Sequence, residues 1–264
     1  MLKDITLGQF FPGDSIVHKL DPRMKIILMI IYVAAVFFAD TWLTFSLLIL
    51  CTLALIIVSK LSVGMILKGM KPIVFIAVFT AVINIFWSTG ETPLISFWII
   101  TIYPEGIKMA IFTILRIMCL VTGTSVLLTY TTSPMALTDG IERLFSPLKK
   151  IHVPVHEFAM MMTIALRFIP TLVEETEKIT NAQKARGADF ESGNLLARAK
   201  AMIPILIPLF VSAFRRADEL AVAMECRLYH GGEGRTRMKV LKLSARDIVF
   251  LFAAAAFFAV MIVL

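Results

Sequence analysis

Charge is scarce in this 264-residue chain: 17% of residues are charged and 58% hydrophobic, where a soluble domain has roughly a quarter charged and about 45 to 50% apolar. With a mean hydropathy of +0.85, the chain carries more apolar surface than one water-soluble core can hide, which excludes soluble globular, disordered, collagenous and disulfide-stapled classes. Cysteine is nearly absent. Of the three, Cys51 and Cys119 lie inside apolar runs and Cys226 in a polar helix, without metal-ligand or redox spacing, so they are expected to pack and no metal site is expected. Met1 to Pro22 has neither a signal-peptide core nor a small-residue cleavage site, so removal of this segment is not expected. A phosphate-binding Gly-rich loop and a catalytic carboxylate pair are also missing, so no covalent chemistry is expected of the chain. The excess of 26 Lys plus Arg over 19 Asp plus Glu gives +7. In a soluble protein that would suggest nucleic acid; here an uneven loop distribution explains it, and no nucleic-acid partner is expected.

What is present is a series of apolar blocks at about 25–39, 42–58, 72–88, 107–130 and 247–264, each near the roughly 17 to 25 residues needed to cross hydrocarbon. The predicted fold is an all-α membrane protein with about five transmembrane helices and a cytoplasmic-face coupling domain of long crossing helices. Leu94 to Tyr103, with two prolines and Trp98 at its margins, reads as an interfacial re-entrant piece. Lys3, Lys19, Arg23 and Lys25 precede the first block, and Lys60, Lys68 and Lys71 separate the second from the third; the positive-inside rule puts both regions in the cytoplasm. The other two loops hold Asp40, Glu91 and Glu105 and face outward. The fourth block then ends inside, where residues 131–246 carry 17 Lys plus Arg and 12 Asp plus Glu. The predicted organisation is a membrane domain over 1–130, a cytoplasmic coupling domain over 131–246 and a last transmembrane helix over 247–264. The N-terminus is expected inside and the C-terminus outside.

The insertion opens with Pro134 to Phe145, an amphipathic helix whose Asp139 and Glu142 precede Arg143, as the helix dipole prefers; Pro147 stops it. Two longer segments follow, Val155 to Arg186 and Leu195 to Arg227, each with an apolar centre and a charged end. As continuous helices each reaches about 45 to 50 Å. They are too apolar for bulk water and too Pro-interrupted to span easily, so they are expected to lie along the cytoplasmic membrane face. Ala159, Ala165, Ala201 and Ala213 permit close crossing.

Both segments end on similar tripeptides, Ala185-Arg186-Gly187 and Cys226-Arg227-Leu228. Each sets a guanidinium on the last turn beside a small residue that lets a partner surface approach. The planar fork of Arg binds a carboxylate or helix-end carbonyls in a fixed orientation. A lone Arg would be read as complementing its own helix end, worth about 0.3 to 1 kcal/mol; two copies at corresponding ends favour docking.

Several words of this sequence occur in a known order: Pro12-Gly13-Asp14-Ser15 with His18-Lys19-Leu20-Asp21-Pro22-Arg23, Ala165-Leu166-Arg167-Phe168-Ile169-Pro170, Ala182-Gln183-Lys184-Ala185-Arg186-Gly187-Ala188, and Arg216-Ala217-Asp218-Glu219-Leu220-Ala221 leading into Ala223-Met224-Glu225. Over nearly its whole length the chain resembles the transmembrane T component of energy-coupling factor (ECF) transporters, modular bacterial importers of vitamins and metal ions. The resemblance implies that the tripeptides are the family's paired Ala-Arg-Gly-type motifs, whose arginines dock into two ATP-binding-cassette (ABC) ATPase subunits. The second copy departs from the pattern: Cys226 replaces Ala, and Leu228 replaces Gly, which leaves the exit geometry of that helix open. The resemblance further implies a substrate-binding S component, held by the apolar helix middles. Met160, Met161, Met162 and Met202 suit an adaptable contact surface, because thioethers repack against more than one partner. The chain itself is expected to need no cofactor, with ATP-Mg bound by the partner ATPases. The expected location is the bacterial cell membrane, in contact with lipid.

Other polar residues carry less. Arg116, within the fourth block, is expected to face the bundle interior, where pairing with a carbonyl or a partner protein is favoured over lining a path, and Asn84 to bond between helices. Arg167 is compatible with lipid phosphate, a carboxylate or a partner. His152, His156 and Glu157 suggest a metalloprotease helix, but Pro154 intervenes and the order is wrong. They support the competing reading of a membrane-embedded enzyme. A stand-alone secondary carrier would need inverted repeats and broken helices, which the blocks do not supply.

Overall fold

Short polar residues placed just ahead of apolar runs set the helix starts. The computed structural model describes residues 10–88, 95–97, 100–190, 194–232, 241 and 243–264. Its helices are α1 (Pro22–Phe37), α2 (Trp42–Ser59), α3 (Val63–Trp87), α4 (Pro104–Thr124) extended by a π-helical turn over Ser125–Tyr130, α5 (Pro134–Leu144) followed by a 3-10 segment over Ser146–Ile151, α6 (Val155–Ala185), α7 (Leu195–Glu225) and α8 (Ala245–Val263). The Asp21 carboxylate accepts from the Arg23 N–H at 2.9 Å ahead of Pro22. Thr41 and Thr44 cap α2 reciprocally, and Ser244 and Asp247 do the same for α8. Such caps are each worth about 1 kcal/mol. Within the segment read as an interfacial re-entrant piece, strands β1 (Ile95–Phe97) and β2 (Ile100–Ile102) pair antiparallel, with Ser96 opposite Thr101.

Among the described residues five helices are long and apolar enough to cross a bilayer: α2, α3, α4 with its π turn, α7 and α8. The membership differs from the apolar blocks in two places. The 16 residues of α1 rise only about 24 Å, less than the roughly 30 Å hydrocarbon thickness. In α7 the run from Met202 to Phe214 extends the helix through Pro204 and Pro208, and that length qualifies it. Helix α3 also starts at Val63, so Lys68 and Lys71, counted as loop charges from sequence, lie on its first turns.

The contacts divide the chain into two compact units. One contains α1 to α4, the π turn and α8. Its core gathers Tyr32, Ala35, Val36, Phe45, Leu48, Cys119, Leu127 and Met261. The Tyr32 hydroxyl lies 2.7 Å from Thr52 Oγ1 and donates to the Cys119 carbonyl at 2.9 Å, tying α1 to α2 and α4. Gly123 makes this possible, because a Cβ there would collide with the Tyr32 ring. The outward faces remain apolar: Phe75 is 75% and Trp87 85% exposed, the reverse of a soluble domain. Arg116 donates to the Ala39 carbonyl at 2.6 Å and to Asp40 at 2.9 Å. Asn84 donates to Thr113 Oγ1 at 3.2 Å between α3 and α4. Both have the partners their sequence positions predicted: a carbonyl for Arg116, the facing helix for Asn84.

The Pro12–Arg23 words act as a structural strap in this unit. Ser15 Oγ lies 2.6 Å from His18 Nδ1, His18 Nε2 lies 3.0 Å from the Phe11 carbonyl, and the Phe11 N–H donates to the Tyr130 carbonyl at 3.0 Å. The Asp247 carboxylate receives the Asp21 N–H at 2.9 Å and the Ser244 N–H at 2.7 Å. The Arg23 guanidinium binds Asp21 and reaches the Leu241 carbonyl; its hydrogen bond to that carboxylate raises its pKa.

Candidate functional site

The second unit holds α6 and α7, each of 31 residues and therefore about 46 Å long. Arg216 of α7 donates to Glu175 of α6 at 2.9 Å. A hydrogen bond from Ser212, with the Arg216 charge beside it, holds the Glu175 carboxyl below the usual carboxylate range. The tie therefore stays ionised from neutral pH down past the ordinary glutamate value of about 4.3. It would be lost only as pH falls through the depressed value. Glu175 precedes Arg186 by the same eleven residues that separate Arg216 from Arg227, so each helix extends about 16 Å from the tie to its terminal arginine.

Those ends share one geometry. At the first, the N–H of Arg186 donates to Gln183, that of Gly187 to Lys184 and that of Ala188 to Gln183, at 3.1, 3.0 and 3.0 Å. At the second, Arg227 donates to Met224, Leu228 to Glu225 and Tyr229 to Met224, at 3.1, 2.9 and 3.1 Å. This is the Schellman closure, in the same register at both ends. The residue after each arginine is left-handed, with φ +87 at Gly187 and +54 at Leu228. The exit that sequence left open at Leu228 is thus the glycine-type exit, adopted by a leucine at a cost of about 1 to 2 kcal/mol. Leu228 is 76% exposed and loses little packing when shortened. Leu228→Gly is therefore expected to leave thermal stability unchanged or slightly higher. A fall of more than about 1 kcal/mol in unfolding free energy would show that the side chain holds a contact instead.

Ala185, Arg186, Gly187, Cys226, Arg227 and Leu228 are all exposed. Neither guanidinium makes a hydrogen bond or ion pair among the described residues, so neither is used up on its own helix end. Met161, Met162 and Met202 are exposed and Met160 is half-buried. Sequence reasoning missed bulkier neighbours: Phe158 on α6, and Ile207, Phe210, Val211 and Phe214 on α7, are exposed as well. The signal was available, since Met202 to Phe214 contains no polar face beyond Ser212. Arg167 is exposed and unpaired among the described residues.

The histidine cluster is differently engaged. His156 Nδ1 lies 2.9 Å from Glu142 Oε1, and Gly232 leaves room for its ring, since a Cβ there would come within 2.6 Å of it. Among the described residues no group of three His, Cys, Asp or Glu side chains is placed to hold a metal.

The family model described as "Cobalt transport protein" (CbiQ) matches residues 13–238. An energy-coupling factor transporter transmembrane protein EcfT of Clostridium kluyveri is 57% identical over 94% of this chain and 92% of its own length. Proteins of the same name from Lactococcus lactis and Bacillus subtilis are 49% and 47% identical, covering 93% and 97% of this chain and 92% and 97% of theirs. With the helical membrane unit and the paired arginine ends, these matches establish that the chain belongs to the CbiQ family of transport proteins, the family of the transmembrane components of ECF transporters.

Proposed function

We propose that the chain is the non-catalytic coupling subunit of an ATP-driven ECF importer, linking two ABC ATPase subunits to an S component in vitamin or micronutrient uptake. The observation that carries this reading is the repeated helix end: two exposed guanidiniums in the same backbone frame, at equal distance from a common tie. ATP hydrolysis takes place in the partner subunits. As those close and reopen, the grooves holding Arg186 and Arg227 change separation, and the two rods turn that change into motion of the apolar surface around Met160, Met161, Met162 and Met202. An S component seated on that surface is reoriented to release its substrate inside. Cys226 serves as the small residue of the second motif, and Gly187 and Leu228 fix the exit of the chain beside each arginine.

The same reading keeps α6 and α7 at the cytoplasmic face, α7 despite its length, and counts the short α1 as a crossing accommodated by local bilayer thinning; α1, α2, α3, α4 and α8 then make five crossings, with the N-terminus inside and the C-terminus outside the cell membrane. Purification of the tagged chain in mild detergent tests the assembly: two ATPase chains and a small membrane protein are expected with it. Recovery of the lone chain from cells that express all partners would refute it. For sidedness, a C-terminal fusion to a reporter active only outside the cytoplasm is expected to be active; activity of a cytoplasm-only reporter at the same position would reverse the topology.

A further inference from the structure

A cavity of about 520 Å³ opens in the membrane unit between α1, α2 and α8, lined by residues including Leu28, Tyr32, Leu47, Val58, Phe250 and Phe257. Tyr32 and Cys51 are the polar side chains among those lining it, and the Tyr32 hydroxyl is already bonded to Thr52 and to the Cys119 carbonyl. The walls therefore offer almost nothing to a hydrogen-bonding ligand, and left empty they forfeit dispersion contacts on every side. Leu47 and Val58 both face the cavity from α2; eleven residues of helix rise about 16 Å, close to the roughly 15 Å of one leaflet, half of a 30 Å hydrocarbon core.

At the end where α1 and α8 begin, the lining changes character within single residues. Val17, Leu20 and Phe250 line the apolar cavity, whereas the charged side chains of Asp14, Lys19 and Arg246 join Ile16, Val249 and again Phe250 in lining a second one. Lys19 is 3.7 Å from the fully exposed Asp14, and Arg246 has no partner among the described residues. Two cations against one carboxylate leave one net positive charge at the mouth of a leaflet-deep apolar slot. We propose that this slot holds one anionic phospholipid, with an acyl chain between α2 and α8 and its phosphate at Lys19 and Arg246. The volume falls in the range of about 300 to 1,000 Å³ typical of small-molecule sites. A zwitterionic lipid would fill the slot equally well but gain less at its mouth. The proposal is independent of the docking role of the helix ends.

The test uses the full chain in nanodiscs of phosphatidylcholine with increasing phosphatidylglycerol, read by thermal unfolding and by mass spectrometry of lipid retained after delipidation. The wild type is expected to gain stability with phosphatidylglycerol and to retain about one molecule of it. Lys19→Ala with Arg246→Ala, both exposed, is expected to weaken that retention about tenfold without changing stability in pure phosphatidylcholine. Ala254→Trp, which fills the slot, is expected to abolish retention of any lipid. Four outcomes overturn the proposal: equal retention by wild type and the double variant, equal stabilisation by inorganic phosphate alone, lipid retained unchanged by Ala254→Trp, or a partner membrane protein cross-linked at Phe250 in place of lipid.

Discussion

A chain carrying Arg186→Glu and Arg227→Glu is expected to reach the membrane in normal amount and to capture no ATPase subunit. Nothing inside the chain should be lost, because neither guanidinium has a partner among the described residues and exposed substitutions of this kind stay near ±0.5 kcal/mol. A carboxylate at a helix C-terminus adds a dipole penalty of about 0.3 to 1 kcal/mol at each end, still too small to unfold the rods. The loss at the partners is larger. A charge-assisted hydrogen bond contributes about 1.5 to 3 kcal/mol, so removing one at each end weakens assembly by about 10² to 10⁴, before the repulsion a new anion meets in a groove shaped for a cation. Each single variant is expected to show about the square root of that effect, since the two ends are separate sites. Arg→Lys keeps the charge but loses the planar fork and is expected to fall between them. Pull-down of the ATPases by the tagged chain measures all four. Capture by the double variant at wild-type level would remove the docking role, and loss of capture with depleted membrane levels would trace the defect to folding.

How much of this was legible in the sequence depended on which force fixes each feature. Hydropathy alone located α2, α3, α4 and α8, because burial in hydrocarbon is a composition-driven term. Hydropathy did not set their ends. Lys68 and Lys71 sit on α3 rather than before it, since a long aliphatic stem lets a lysine stay helical while its ammonium reaches water. The arginines were visible as a repeated word, and the glycine after the first of them suits the left-handed exit found there. Leu228 could not announce the same exit. Its φ of +54 runs against residue preference and accompanies the hydrogen bonds that Leu228 and Tyr229 make back to Glu225 and Met224, a local backbone closure at a place where the side chain's own propensity points the other way. The tie between Glu175 and Arg216 was equally hidden. Both helix ends are rich in charge, and only the packing of α6 on α7 selects that pair.

Lys25 gives the widest separation between what sequence suggests and what the structure requires. Counted with Lys3, Lys19 and Arg23 it looks like one more cytoplasmic loop cation, yet it lies inside α1 and is 1% exposed. Its ammonium donates to the Thr131 carbonyl at 2.7 Å and to Thr132 Oγ1 at 3.1 Å, tying the start of α1 to the end of the π turn. Lys25→Met keeps most of the volume but leaves those acceptors without their donor, at about 1 to 3 kcal/mol for a buried group; Lys25→Ala adds a cavity and is expected to cost about 4 kcal/mol or more. Unfolding of the full chain in detergent by denaturant should resolve both, and the isosteric variant separates charge from packing. Arg186 and Arg227 lie in the other compact unit, so ATPase capture by the Met variant at low temperature is expected to persist. Thr132→Val provides the internal check: it should cost less in the Lys25→Met background than in the wild type, because the donor is already gone. Equal costs in the two backgrounds, or a Met variant within about 0.5 kcal/mol of wild type, would return Lys25 to the role of a topogenic charge.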